Sequence, residues 1–169
     1  MKLIQYFPFI LVAIIISCTK PPDYPIEPVI EFERLNKNVM VQSQEKTDSV
    51  VVTFSFTDGD GDLGHNDSIQ DIFLKDIRFP EAEGLNPIPF KLPFVPVQGV
   101  GNGISGEISV LTYTSCCTYP PGTFLPCDTT AYTQFPTDTL IYEIYIKDRA
   151  GNESNRILTA PIILNCNVN

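Results

Sequence analysis

The sequence predicts an all-β chain, an antiparallel β-sandwich of about seven short strands. Three observations carry this. Residues 49–57, SVVVTFSFT, alternate strictly, with Val50, Val52, Phe54 and Phe56 pointing one way and Val51, Thr53, Ser55 and Thr57 the other. That period of two marks a half-buried strand. Residues 139–147 repeat it, with Leu140, Tyr142, Ile144 and Ile146 on one face and Ile141, Glu143, Tyr145 and Lys147 on the other. Finally, 15 prolines and 10 glycines are spread through a chain without an Ala- or Leu-rich stretch, which argues against a helical bundle. At 169 residues, 43% of them hydrophobic, the chain suits one domain with room for a real core.

The amino end reads as an address. Lys2 precedes an apolar run over residues 3–16, interrupted by Gln5 and Pro8. The run is too short for a membrane span and right for the core of a secretory signal. It ends in Ile15-Ile16-Ser17-Cys18, which looks like a bacterial lipobox. That resemblance implies a signal peptide over residues 1–17 and a lipidated Cys18, where several acyl chains anchor the protein stably. An ordinary signal peptide cut near Ser17 is the alternative. Residues 18–28 then form a linker. Its TKPPDYPIEP holds four prolines in ten residues, which forbids a helix and favours extended polyproline II. At roughly 3.1 Å per residue this is a spacer of about 30 Å. Lys20 stands where inner-membrane lipoproteins carry a retention aspartate. The resemblance therefore favours the outer membrane, and Asp23 and Glu27 leave open whether the domain faces the periplasm or the cell surface.

Residues 29–169 form the sandwich domain. Besides the two clear strands, weaker ones are predicted at 29–34, 71–79, 103–114 and 156–164. Residues 87–97 carry Pro87, Pro89, Pro93 and Pro96, which confine them to an edge strand or an extended loop. Within this stretch Phe90, Leu92, Phe94 and Val95 are a candidate partner surface, weighed against ordinary core packing under a loop.

The first clear strand runs into Asp58-Gly59-Asp60-Gly61-Asp62-Leu63-Gly64-His65-Asn66-Asp67. Three carboxylates at alternate positions of so short a loop repel one another unless a cation joins them. Hard oxygen ligands on a flexible glycine-rich loop suit Ca²⁺, while Mg²⁺ demands stricter geometry. The spacing resembles positions 1, 3 and 5 of EF-hand, dockerin and thrombospondin-repeat loops. It then departs, with Leu63 in place of the EF-hand glycine and Ile69 in place of the bidentate glutamate, so further ligands must come from elsewhere. The competing reading is a solvated turn, since Asp-Gly repeats are good turn formers. His65 is expected at the surface and not as a ligand.

Two further motifs carry a family resemblance. Asp138-x-Leu140-x-Tyr142-x-Ile144 resembles immunoglobulin strand F, in which a tyrosine hydroxyl caps the turn entering the strand. Here Leu140 replaces the small residue and Ile144 the cysteine. The turn Asp148-Arg149-Ala150-Gly151-Asn152-Glu153-Ser154 resembles the F–G hairpin of bacterial immunoglobulin-like and fibronectin-III-like surface domains, with Gly151 supplying positive φ and Asp148 and Asn152 bonding the turn backbone. As a whole the chain resembles the small single-domain lipoproteins of the Bacteroidota that combine a lipobox, a Pro-rich spacer, a DGDGD loop and this turn. The resemblance implies an immunoglobulin-like sandwich with 49–57 as strand B and 139–147 as strand F, so that the B–C and F–G loops share one end. That arrangement would bring Asp148 and Asn152 to Asp58, Asp60 and Asp62 as a five-residue calcium site, with Asp67 as an outer candidate. The ion would be structural, fixing two loops.

Beyond Cys18, the chain holds Cys116, Cys117, Cys127 and Cys166, an even number in an oxidising compartment. A bridge between neighbours would be strained. One of the pair is therefore expected to join Cys127 and the other Cys166, in either arrangement. A zinc site is the weaker alternative, because no Cys-x-x-Cys spacing or nearby histidine supports it.

A net charge of −9 argues against nucleic acid. A single histidine makes His-based acid–base catalysis a poor prospect, and the common catalytic motifs are missing from the sequence. The expected function is a non-catalytic, lipid-anchored envelope protein presenting a surface to a protein or a glycan. A purely structural accessory subunit of an envelope complex, or less readily a hydrolase, are the alternatives.

Overall fold

A computed structural model describes residues 23–79, 87–97 and 103–167. The signal segment and Cys18 lie outside them. The described chain is all-β, with a single 3-10 turn at Ala131–Thr133. Its strands are β1 (Val29–Leu35), β2 (Val39–Val41), β3 (Ser49–Asp58), β4 (Ile72–Asp76), β5 (Ile88–Phe90), β6 (Ile104–Tyr113), β7 (Thr137–Leu140), β8 (Tyr142–Ile146), β9 (Ile157–Leu158) and β10 (Ile162–Asn165). They form three sheets ordered β1-β3-β6, β2-β10-β7 and β5-β4-β8-β9.

The alternation seen in the sequence is the core seen in the fold. Val50, Val52 and Phe54 of β3 are buried, as are Leu140, Tyr142, Ile144 and Ile146 of β7 and β8. They join Ile30, Ile72, Leu74, Val110, Ile162 and Leu164 in one continuous apolar cluster between the sheets. At about 25 cal/mol per Å² of apolar surface removed from water, this cluster is the main stabilising term.

Two expected strands are each divided. The 139–147 stretch breaks at Ile141, so that β7 pairs with β10 while β8 pairs with β4 and β9. The 156–164 stretch breaks between β9 and β10, where Pro161 has no N–H for the ladder. Hydrogen bonds hold the interruption closed: Thr159 N–H donates to the Tyr142 carbonyl at 2.9 Å, and Tyr142 N–H donates to Thr159 Oγ1 at 3.1 Å. The short strand β2, which no sequence pattern announces, lies parallel to β10. Tyr142 is buried, and its hydroxyl lies 3.4 Å from Thr112 Oγ1 on β6. The contact joins the sheets and is not made with the turn before the strand.

The cysteines pair as Cys116–Cys127 and Cys117–Cys166. The two bridges pin the 114–136 loop and the carboxyl end at one pole. Arg78, 9% exposed through its side chain, sits there between Asp76 (2.6 Å) and Asp138 (2.6 Å) and also reaches Ser115 Oγ and the Cys116 carbonyl. Asp138 also accepts from the Thr118 N–H at 2.8 Å. Burial opposes ionisation of Asp138, but Thr118 and Arg78 outweigh it and hold its carboxyl below the usual range.

Candidate metal centre

Antiparallel register brings three loops to the opposite pole. β3 ends at Asp58, where β6 begins (Asp58↔Ile104), and β4 begins where β8 ends (Ile72↔Ile146). The connections 58–71 and 147–156 therefore share one end with residue 103, which leads into β6, and the chain enters β1 there too (Val29↔Thr57).

The acidic loop turns back on itself at once. Asp58 is fully buried, and its Oδ2 accepts from the Asp62 N–H at 3.0 Å. Gly61, with φ of 69°, gives the reversal a backbone conformation that L side chains rarely adopt. The result draws one carboxylate oxygen from each of Asp58, Asp60 and Asp62 to within 4.8 Å of one another. Asp58 Oδ1, Asp60 Oδ1 and Asp62 Oδ1 are all buried and accept no hydrogen bond from the described residues. A buried polar atom without a partner costs about 1–3 kcal/mol, and more when charged. Three such atoms on one loop are therefore strongly unfavourable unless a positive charge satisfies them.

Electrostatics agrees. Burial, followed by the charges of Asp60, Asp62 and Asp148, pushes the Asp58 carboxyl up to about 6. Asp62 is raised as well, first by burial and then by Asp148 and Asp60, with Arg149 opposing. Crowded buried carboxylates resist sharing negative charge.

The turn between β8 and β9 docks on this loop. The Arg149 N–H donates to the Asp62 carbonyl at 3.1 Å, and the Ala150 N–H to Asp62 Oδ2 at 3.1 Å. Gly151 has φ of 91°, as its place in the turn motif requires. Asp148 is buried beside the cluster, but its carboxylate is occupied within the turn. Its Oδ1 accepts the Asn152 N–H at 2.8 Å and its Oδ2 the Asn152 Nδ2 at 2.7 Å. The tight group is thus Asp58, Asp60 and Asp62, while Asp148 and Asn152 bond each other within the neighbouring turn. Asp67 is exposed and accepts the Ile69 N–H at 2.9 Å.

Two residues that sequence reasoning passed over matter here. Arg149 Nη1 sits 2.9, 2.8 and 3.0 Å from the carbonyls of Leu63, Gly64 and Val95, and its guanidinium lies 4.9 Å from the centre of the Phe94 ring. It therefore joins the acidic loop, the β8–β9 turn and the proline-rich strap of residues 87–97 into one body. Asp71, 1% exposed, accepts from or donates to His65 Nδ1 through Oδ1 at 2.8 Å, while its Oδ2 is buried without a partner among the described residues. His65 is half-buried against this carboxylate and not a free surface residue. No local pattern marks either Arg149 or Asp71, since both take their meaning from distant loops.

Along the strap, three of the four candidate surface residues turn toward the core. Leu92 is only 3% exposed and belongs to the core, and Phe90 and Val95 pack against that core. A carbon added at Gly64 would meet the Pro93 carbonyl oxygen at 2.1 Å, so the strap lies directly on the loop. Of the four expected surface residues Phe94 is the exposed one, at 41%.

No protein-family model matches the chain, and no curated protein matches it in sequence.

Proposed function

We propose that this chain is a non-catalytic, lipid-anchored envelope protein whose immunoglobulin-like domain holds a structural Ca²⁺ ion and presents a surface to a protein or glycan. The observation that carries the reading is the trio of buried, unpartnered oxygens on Asp58, Asp60 and Asp62. The donors are all hard oxygens on a glycine-hinged loop, the set that Ca²⁺ accepts and that Mg²⁺ uses less readily. Three carboxylates leave the rest of a six- to eight-fold shell to carbonyls and water. Bound calcium would cancel the repulsion and lock together the loop, the F–G turn and the strap, with no substrate chemistry.

The immunoglobulin-like assignment is supported by strand order. β1-β3-β6 follows the A-B-E order, and β4-β8-β9 the C-F-G order, of such sandwiches. The anchor is supported by the signal-like run and its terminal Cys18. The locked pole, with Phe94 exposed beside Arg149, is the surface we favour for partner contact.

Thermal unfolding of the full chain in neutral detergent tests the calcium site. EGTA comes first and millimolar Ca²⁺ second, with Asp60→Ala alongside. The reading expects a calcium-dependent rise in Tm that Asp60→Ala abolishes. An unchanged Tm in the wild type would reduce the loop to a solvated turn.

A further inference from the structure

The amino-terminal linker does not simply arrive at β1; it crosses the acidic loop. A carbon added at Gly59 would lie 2.5 Å from the Tyr24 carbonyl oxygen and 2.6 Å from that of Pro25. One added at Gly103 would lie 2.7 Å from Tyr24 Cδ2 and 3.0 Å from the Asp58 carbonyl oxygen. Contacts under 3.0 Å are not tolerated by real side chains, so the linker backbone seats where two glycines leave room. Gly59 stands between Asp58 and Asp60, and Gly103 lies against the Asp58 backbone. The seat for Tyr24 and Pro25 is thus made of the very segment whose carboxylates repel one another.

We propose that cation binding at Asp58, Asp60 and Asp62 controls whether the linker is seated on the domain. This rests on the calcium reading above and adds a consequence to it. With the ion bound, the 58–62 backbone holds one conformation, Gly59 and Gly103 present their bare faces, and Tyr24 and Pro25 dock. Without it, repulsion strains the loop, the seat weakens and the linker leaves it more readily. The ion then sets how much of the linker is held against the domain. Exposure fits a conditional contact. Pro28, next to β1, is buried and Tyr24 is half-buried, while Asp23, Pro25, Ile26 and Glu27 are exposed, so Tyr24 is the main hold on residues 23–27. Linkage makes the coupling reciprocal: if the ion strengthens linker seating, losing the seat must weaken the ion by the same factor.

The chain has no tryptophan, so Tyr24→Trp installs a single tryptophan at the seat, selectively excited at the red edge of the absorption band. Acrylamide quenching of the full chain in neutral detergent reads its accessibility, and calorimetric titration with Ca²⁺ reads binding. We expect Ca²⁺ to lower the quenching constant about twofold to threefold in Tyr24→Trp, and to leave it unchanged when Asp60→Ala is added. We expect Tyr24→Ala, which removes no carboxylate, to weaken Ca²⁺ about fivefold, at the low end of such couplings. Normal Ca²⁺ binding with unchanged quenching, and unchanged affinity in Tyr24→Ala, would overturn the linker proposal and leave the calcium site standing. No heat of Ca²⁺ binding in the wild type would overturn both.

Discussion

Replacing Asp58 with asparagine should stabilise the ion-free protein and destroy its response to calcium. The carboxyl of Asp58 rises from the ordinary 3.8 to about 6 in the fold, through burial first and then through Asp60, Asp62 and Asp148. At about 1.4 kcal/mol per pH unit, ionising it at pH 7 costs the folded state about 3 kcal/mol. Asparagine keeps an oxygen to accept the Asp62 N–H, now 3.0 Å from Asp58 Oδ2, and loses the charge. In EGTA at pH 7, Asp58→Asn should therefore be more stable than wild type by about 2–3 kcal/mol, or about 5–10 °C in Tm for a domain of this size. The sign with pH follows from linkage. Between about pH 4 and pH 6 the folded wild type holds a proton that the unfolded chain has released, so its ion-free stability falls as pH rises through that window. The variant should show no such fall beyond what Asp62, raised in the same direction, contributes. Acids held below the usual range, such as Asp48 and Glu107, lose their contribution only as pH falls through and below their ordinary 3.8 and 4.5, so the comparison is made at pH 5 and above. With Ca²⁺ a hundredfold above its Kd, wild type should gain about 2.7 kcal/mol. The variant, one carboxylate poorer, should gain less than about 1 kcal/mol. Urea titrations at pH 5 and pH 7, with EGTA and with Ca²⁺, measure all four corners. If Asp58→Asn is destabilised in EGTA as much as in Ca²⁺, Asp58 is a satisfied turn acceptor and the argument from repulsion fails.

Other outcomes follow from the packing. Removing the Cys117–Cys166 bridge by paired serine substitutions should cost more than removing Cys116–Cys127. The first spans a sequence separation of 49 and the second 11, which chain entropy values at about 4 and about 3 kcal/mol; urea midpoints compare them directly. Arg149→Ala should cost about 2–3 kcal/mol, because it strips one charged donor from three carbonyls. Hydrogen exchange should show its local signature at the Val95 amide, which donates to the Leu63 carbonyl at 3.1 Å and should lose protection before the β3 amides do. Arg149→Lys should not restore it, since an ammonium lacks the planar guanidinium that lies over the Phe94 ring at 4.9 Å.

Much of this protein is legible without coordinates, because its strands announce themselves within a few residues. The alternation in β3 and in β7–β8 is a local property, and it named most of the core side chains, although Phe56 is only half-buried and Thr53 on the other face is buried. The Asp-Gly run is also local, so the three crowded carboxylates could be found by spacing alone. The same is true of Gly151 in its turn. Where local pattern is weak, the reading loses resolution. β2 has three residues and no periodicity to detect, and the breaks at Ile141 and Pro161 depend on how two strands share neighbours.

What only the tertiary structure decides is convergence. Cys116 and Cys117 are adjacent, and either could have taken Cys127 until the loop and the carboxyl end were placed. Leu92 reads as readily as surface as core until the strap is laid over Gly64. Arg149 looks like a turn residue until β4, β6 and β8 bring Leu63, Gly64 and Val95 under its guanidinium. The burial of Asp71 and the crossing of Tyr24 and Pro25 over Gly59 belong to the same class. Periodicity is set by neighbours along the chain and so survives in the sequence. The charge, burial and contact that make a site arise from residues tens of positions apart, whose meeting is fixed only when the strands pair.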